Sequence, residues 1–444
     1  MLAITDQKET FSDMVSNQTN PFFDCYFRWL DLSVRYNIAV FEASTKAAES
    51  FFNFNKPRTE KSIENDIRLS FDSSLQESLK EESFANSLAE YVDVFINLQT
   101  ILGRSEAFRY RASLIADYNN RLEFLRTTLY RTPSEIIKLN NNFDLLHYIS
   151  SEKKYKTPIL IVGSLINRYY ILDLLPKFSV VKNLLGQGFD VYATEWRTAS
   201  NLNQDMTLEN YARDFLETAI EKVKEISGSD QVSLLGYCWG GIFALIYSTT
   251  YPENVKNLIL HSTPVDSAAN PTPVEIWTSH LNVDRDLDVM RNMPGSFVNL
   301  AFLMRNPLEP ILKWPKFFSE PRSIDEIMQF FAVETWLYDS RPIIGGVYKK
   351  LVEDIYQKNL LIKNKMEVND KLVDLQKITM PVLNIIATHD DLVPPESSKS
   401  IMNVIPSSDK QLIEFPSGHT GICMSTRAHE QLWPQVGKWL SERS

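Results

Sequence analysis

Cysteine is scarce in this chain of 444 residues: there are three, Cys25, Cys238 and Cys423, odd in number and far apart. That excludes a disulfide framework and the paired spacing of a zinc site, and it suits a reducing, cytoplasmic setting. Long apolar runs are missing too, with no window near the ~18 uninterrupted apolar residues of a membrane span. The amino-terminal stretch carries Asp6, Lys8, Glu9 and Asp13 where a secretory signal needs an apolar core. Neither a membrane span nor export by that route is expected. Basic charge is in deficit, with 46 Lys and Arg against 56 Asp and Glu for a net charge of −10, which disfavours binding to polyanions and argues against nucleic acid as a partner. Glycine is low at 14 residues, under the ~7% of average usage, so a cluster of glycines is informative. The tightest is Gly236, Gly240 and Gly241.

What is present reads as an ordinary globular chain, 44% hydrophobic and 23% charged, which fits neither disorder nor a fibre. Its length allows two or three domains at roughly 150 residues each, or one enzyme domain carrying insertions. Aromatics crowd the stretch from Pro21 to Phe54, including Phe22, Phe23, Tyr26, Phe27, Trp29 and Tyr36. A polar, linker-like stretch follows, then two helix-like stretches near Ser78 to Leu102 and Glu106 to Leu129. Residues 1–110 are expected to form a helical amino-terminal region and residues 111–444 a catalytic domain.

From Phe143 onward the pattern changes to short β-branched runs alternating with amphipathic stretches. Strands are expected over Thr157 to Val162, Gly188 to Thr194, Gln231 to Leu235, Val255 to His261 and Pro381 to Ala387, followed by the apolar run Lys410 to Phe415. The segment Thr207 to Ile226 spaces Leu208, Tyr211, Ala212, Phe215, Ala219 and Val223 along one helical face. Strands alternating with helices predict an α/β fold, a mostly parallel sheet flanked by helices. The gap between His261 and Pro381 is too long for one crossover, so a large cap insertion is expected over about 268–377.

The strand Gln231 to Leu235 runs into Gly236-Tyr237-Cys238-Trp239-Gly240-Gly241 and then the helical run Ile242 to Thr250. Gly-x-nucleophile-x-Gly between strand and helix is the pattern of a sharp turn that strains its central residue and exposes that side chain, with small neighbours letting strand and helix approach. The Trp239 backbone N–H then points into an oxyanion hole, and the helix amino terminus favours a thiolate at Cys238. A second oxyanion N–H usually comes from the loop after the early strand, which nominates Leu165 within Gly163-Ser164-Leu165-Ile166-Asn167. Cys25 and Cys423 lack such a setting and read as packing residues.

A cysteine nucleophile needs a base, and the chain offers six histidines: His147, His261, His280, His389, His419 and His429. In an α/β-hydrolase the order is nucleophile, acid, histidine. The strand Pro381 to Ala387 is followed by Thr388-His389-Asp390-Asp391-Leu392-Val393-Pro394, and register against Val393-Pro394 favours Asp390 as the acid. Asp391 equally suits a solvated turn residue or helix cap. The run Lys410 to Phe415 ends in Pro416-Ser417-Gly418-His419-Thr420-Gly421, which makes His419 the base. His389, at the strand edge before the acid, reads as structural or solvated, and Arg168 as a surface salt-bridging residue or a contact for an anionic substrate.

With cysteine in a lipase-like box, the sequence resembles the polyhydroxyalkanoate synthases, polymerases of 3-hydroxyacyl-CoA, from about Thr132 to its end. The resemblance is carried by Gly236 to Gly241, Ile166 to Leu174, Val191-Tyr192 with Trp196, Thr263 to Asp266, Trp336 to Asp339, Asp390 with Leu392 to Pro394, and Gly418 to Gly421. The catalytic part is similar to the short class III type, which works with a second, helical subunit. The resemblance implies an α/β-hydrolase fold, the triad Cys238, Asp390 and His419, an acyl-cysteine intermediate on the way to polyester, and activity as a homodimer on a cytoplasmic granule. It implies 3-hydroxyacyl-CoA as substrate and the growing polyester as partner, with no metal or other cofactor. Two departures stand out. The first hundred residues lie outside the short family core, leaving three roles open for them: replacing a helical accessory subunit, binding one, or contacting polymer. The usual Asp-Trp pair is Glu195-Trp196. A Cys-dependent thioesterase or lactone hydrolase built on the same three residues, and a non-catalytic granule scaffold, are the competing readings.

Overall fold

The computed structural model describes residues 132–150, 152–197, 205–281, parts of 283–302, and 324–444. The expected helical region 1–110, and Cys25 within it, lie outside the described residues.

Eight strands form one sheet. In chain order they are β1 (Ser134–Lys138), β2 (Phe143–Tyr148), β3 (Ile159–Val162), then, after a small two-stranded ribbon of β4 (Asp173–Leu175) and β5 (Phe178–Ser179), β6 (Val191–Trp196), β7 (Val232–Tyr237) and β8 (Val255–His261). A second ribbon of β9 (Glu367–Val368) and β10 (Lys371–Leu372) precedes the last two, β11 (Val382–Ala387) and β12 (Lys410–Phe415). The spatial order is β1-β2-β6-β3-β7-β8-β11-β12. Neighbours from β6 through β12 pair parallel, and β2 runs antiparallel to both β1 and β6. This is the α/β-hydrolase fold, a mostly parallel sheet flanked by helices.

The inner strands are buried at nearly every position because helices cover both faces. Strands β3, β7 and β11 have no exposed residue. Helix α1 (Val180–Gln187) ends where Gly188 adopts a φ of 100° and its N–H bonds back to Leu184 and Leu185. That cap displaces the expected strand Gly188 to Thr194 towards β6, since a left-handed residue closes a helix and does not open a strand. The amphipathic stretch after β6 becomes a π-helical segment (Asn210–Phe215) running into α2 (Leu216–Ser227), with Tyr211, Ala212, Phe215, Ala219 and Val223 buried. Helix α3 (Trp239–Thr250) leaves β7 directly and is buried along almost its whole length.

Between β8 and β11 lie α4 (Pro273–His280), α5 (Ile324–Tyr338), α6 (Gly345–Leu351) and a π-helical segment (Val352–Gln357). The start of α4 is fixed by Thr272, which bonds the Val274 N–H while the Glu275 carboxylate returns to the Thr272 N–H, a reciprocal cap that satisfies two first-turn donors. The chain closes with α7 (Trp433–Ser441), whose Trp433, Val436 and Leu440 are fully buried. Among the described residues no helix is long and apolar enough to cross a membrane.

Candidate active site

The site is assembled at the carboxyl ends of parallel strands, where open α/β sheets place their ligands. Cys238 follows β7, Asp390 follows β11 and His419 follows β12.

Cys238 has a φ of 52° and a ψ of −122°, a conformation that costs a residue with a Cβ of order 1–3 kcal/mol. Its N–H bonds to the His261 carbonyl at 2.9 Å and its carbonyl accepts the Gly241 N–H at 2.9 Å, so the turn is pinned on both sides. The surrounding glycines are demanded by space. A Cβ on Gly236 would lie 2.4 Å from the Gly241 Cα, one on Gly240 would lie 2.0 Å from the Val162 carbonyl oxygen, and one on Gly241 would lie 1.8 Å from Thr263 Oγ1. Strand and helix meet here backbone to backbone. Trp239 opens α3, and the first N–H groups of a helix lack intrahelical acceptors. Its indole Nε1 donates to the Tyr356 hydroxyl at 2.9 Å.

Asp390 is buried. Its Oδ1 accepts the N–H groups of Leu392 at 3.0 Å and Val393 at 2.8 Å, and its Oδ2 lies 2.7 Å from His419 Nδ1. Burial raises the Asp390 pKa, but the His419 charge and hydrogen bond, together with the two backbone donors, outweigh it and hold the carboxyl below its ordinary value. For His419 burial again opposes the charged form, yet the Asp390 carboxylate wins, with the adjacent Cys238 side chain adding to it, and the imidazole is pushed up to about 10. The three groups thus act on one another. Asp391 is exposed, so its neighbour is the one that turns inward.

The remaining candidates separate cleanly. His389 is exposed. His147 pairs with the buried Asp190 at 2.9 Å, and His429 Nε2 lies 2.7 Å from the Cys423 carbonyl. Cys423 is fully buried, and burial pushes its thiol well up. His261 is fully buried against Tyr237 and Trp433, where desolvation lowers its imidazole to about 3. Leu165 lies in the loop after β3, lining a cleft with Arg168, Glu195, Trp196 and Arg341. Arg168 makes the salt bridge expected of it, to Glu195, but away from the surface: its side chain is 14% exposed, and the Trp336 indole of the inserted segment donates to its carbonyl.

Two participants escaped the sequence reading. Tyr356, on the π-helical segment, faces Trp239 and contributes to burial beside Cys238. Arg341 bonds the Trp196 carbonyl at 2.6 Å. Both come from the long insertion, and no spacing within it marks which side chain returns to the elbow.

Residues 114–184 match the family model described as the N-terminus of poly-beta-hydroxybutyrate polymerase (PhaC), and residues 157–300 match the alpha/beta hydrolase fold. The chain is 38% identical over 318 residues to the poly(3-hydroxyalkanoate) polymerase subunit PhaC of Haloferax mediterranei, covering 71% of this chain and 65% of that one. To the protein of the same name from Haloarcula marismortui it is 36% identical over 344 residues, covering 75% and 72%. To that of Allochromatium vinosum it is 34% identical over 290 residues, covering 64% and 81%. It therefore spans just under two-thirds of the Haloferax protein's length.

Proposed function

Because the chain belongs to the PhaC family of poly(3-hydroxyalkanoate) polymerases, we propose that it polymerises (R)-3-hydroxyacyl-CoA into polyester through an acyl-cysteine on Cys238. The observation that carries this reading is His419, bonded to Asp390 at 2.7 Å on one side and electrostatically coupled to Cys238 on the other.

His419 takes the Cys238 proton, and the sulfur attacks the thioester carbonyl, forming a new S–C bond. The oxyanion is met by the Trp239 N–H and, from the loop after β3, the Leu165 N–H. The C–S bond to CoA then breaks and CoA leaves as the thiol, with its proton supplied by His419. The cysteine thioester keeps the activation of the incoming thioester, so the 3-hydroxyl of a second monomer, deprotonated by His419, displaces sulfur and forms an ester bond. A serine ester would have lost that activation. Water competes at every cycle, and the segment between β8 and β11, with Tyr356 over the elbow, is the element that excludes it. None of these steps calls for a metal or redox cofactor. The reading extends to the short class III type, to a homodimer at the surface of a cytoplasmic polyester granule, and to residues 1–110 replacing a helical accessory subunit, binding one, or contacting the polymer.

The test is to incubate the purified protein with 3-hydroxybutyryl-CoA, follow CoA release and analyse the acyl product, with Cys238→Ala as control. Polymer formed with CoA release, both lost in Cys238→Ala, is the expected result. CoA release yielding only free 3-hydroxybutyrate would overturn polymerisation in favour of a thioesterase. Release that survives in Cys238→Ala would remove the cysteine from the chemistry.

A further inference from the structure

The loop 163–168 is held from two directions. From the sheet, the Gly163 N–H bonds Thr194 Oγ1 at 3.1 Å and the Gly163 carbonyl accepts Trp196 Nε1 at 2.7 Å. From the inserted segment, Trp336 Nε1 donates to the Arg168 carbonyl at 2.7 Å, and the Ser340 hydroxyl bonds Asn167 Oδ1. Asn167 adopts a φ of 59°, a left-handed turn that needs such support in a residue with a Cβ. Arg168 joins the two sides. Its guanidinium is ion-paired to Glu195 at the end of β6 and lies 3.7 Å from Asp339 just after α5. Tyr170 donates to Asp339 at 2.6 Å, and Arg341 reaches Glu195 at 3.3 Å. The side chains of Arg168 and Glu195 are 14% and 13% exposed, so the pair is little screened by solvent. Among the described residues these hydrogen bonds involve Gly163, Ser164, Ile166, Asn167 and Arg168 and leave the Leu165 N–H out.

We propose that Arg168 is a positioning residue which, through Glu195 and Asp339, ties the loop carrying the Leu165 N–H to the seating of the inserted segment. The loop then has its working geometry only while that segment is docked, which links oxyanion stabilisation to the element that shields the site from water. This rests on the reading of Leu165 as the second oxyanion donor. A displaced donor weakens an interaction made in the transition state, so it lowers kcat and spares KM.

The test compares the wild-type full chain with Arg168→Met, Arg168→Lys and Asp339→Asn. Three quantities are measured: kcat and KM for CoA release from 3-hydroxybutyryl-CoA, amide hydrogen exchange in peptides covering 163–168, and the iodoacetamide alkylation rate mapped to Cys238. Arg168→Met and Asp339→Asn are expected to speed exchange in 163–168 and to lower kcat by about tenfold or more, since removing an oxyanion donor outright costs about 10²-fold or more. KM and the alkylation rate should stay within about twofold, and Arg168→Lys, which keeps the charge, should recover part of kcat. Unchanged exchange, unchanged kcat, or a loss of kcat matched by an equal loss of alkylation would each overturn the proposal. A wild-type protein that releases no CoA is one that needs the separate accessory subunit, takes a different chain length, or is not a polymerase, and it counts neither for nor against the coupling. The exchange data then decide the coupling by themselves, faster exchange in Asp339→Asn supporting it and unchanged exchange refuting it.

Discussion

His419 Nδ1 sits 2.7 Å from Asp390 Oδ2, with the carboxylate's other oxygen held by the Leu392 and Val393 N–H groups. The backbone donors fix the carboxylate, the carboxylate fixes the imidazole, and the second ring nitrogen is left for other work. Adjacent parallel strands β11 and β12 make this possible, since their carboxyl ends deliver the two loops side by side.

Replacing Asp390 by Asn keeps the shape and removes the charge that stabilises the imidazolium and selects the ring tautomer. In the proposed mechanism Asp390→Asn therefore lowers kcat for CoA release on the order of 10³–10⁴-fold. Steady-state kinetics test it, and a loss under about tenfold would remove Asp390 from the mechanism.

The same pair gives stability a pH dependence of definite sign. His419 is raised from an ordinary 6.5 to about 10 in the fold, so its contribution is complete below pH 6.5 and fades as pH climbs towards 10. Asp390 is depressed below 3.8, so its contribution is present above that value and is lost on acidification. The Tm advantage of wild type over His419→Gln should accordingly be largest near pH 5–6 and shrink steadily by pH 10. An advantage that grows with pH would mean that the folded imidazole is neutral.

The elbow was legible in the sequence because its requirements are local: three glycines, a central residue and a strand-to-helix change of period all fall between Val232 and Thr250. The inner strands were legible for a related reason, since burial on both faces leaves apolar runs such as Ile159 to Val162. Strand β1 was not foreseen. It is an edge strand, Ser134 to Lys138, half polar and largely exposed, and its identity comes from pairing with β2 rather than from its own pattern. Arg341 and Tyr356 were illegible as partners of the site because their contacts, with Trp196 and Trp239, span 145 and 117 residues of chain. Such contacts are decided by how the inserted segment packs, which no periodicity encodes.

Among the glycines, the nature of the obstructing atom sets the cost. A Cβ on Gly240 meets the Val162 carbonyl at 2.0 Å, which is backbone in the central sheet, whereas one on Gly241 meets the Thr263 side chain at 1.8 Å. Gly240→Ala should destabilise by about 3 kcal/mol or more, with no single side-chain change able to relieve it. Gly241→Ala should be of similar severity alone but partly rescued by Thr263→Gly. Urea denaturation of the two single variants and the double variant checks this. Rescue of Gly240→Ala by Thr263→Gly would show that the obstruction has been misassigned.

The contact between Trp239 and Tyr356 separates stability from chemistry. Trp239 is 3% exposed and its indole N–H bonds the Tyr356 hydroxyl at 2.9 Å. Removing that hydroxyl leaves a buried donor unsatisfied, which costs about 1–3 kcal/mol. Tyr356→Phe should therefore lower Tm by a few degrees, about 2–4 °C per kcal/mol for a domain of this size. In the proposed mechanism the reaction between Cys238 and the thioester uses the Trp239 backbone and not its indole, so the CoA release rate should change less than about threefold. The acyl-enzyme, by contrast, would be less well shielded where the π-helical segment lifts from the elbow. Water then competes better with the 3-hydroxyl, and the fraction of product recovered as free 3-hydroxybutyrate should rise relative to wild type. Equal partition in both proteins, measured alongside the Tm shift, would show that Tyr356 secures the fold without guarding the intermediate.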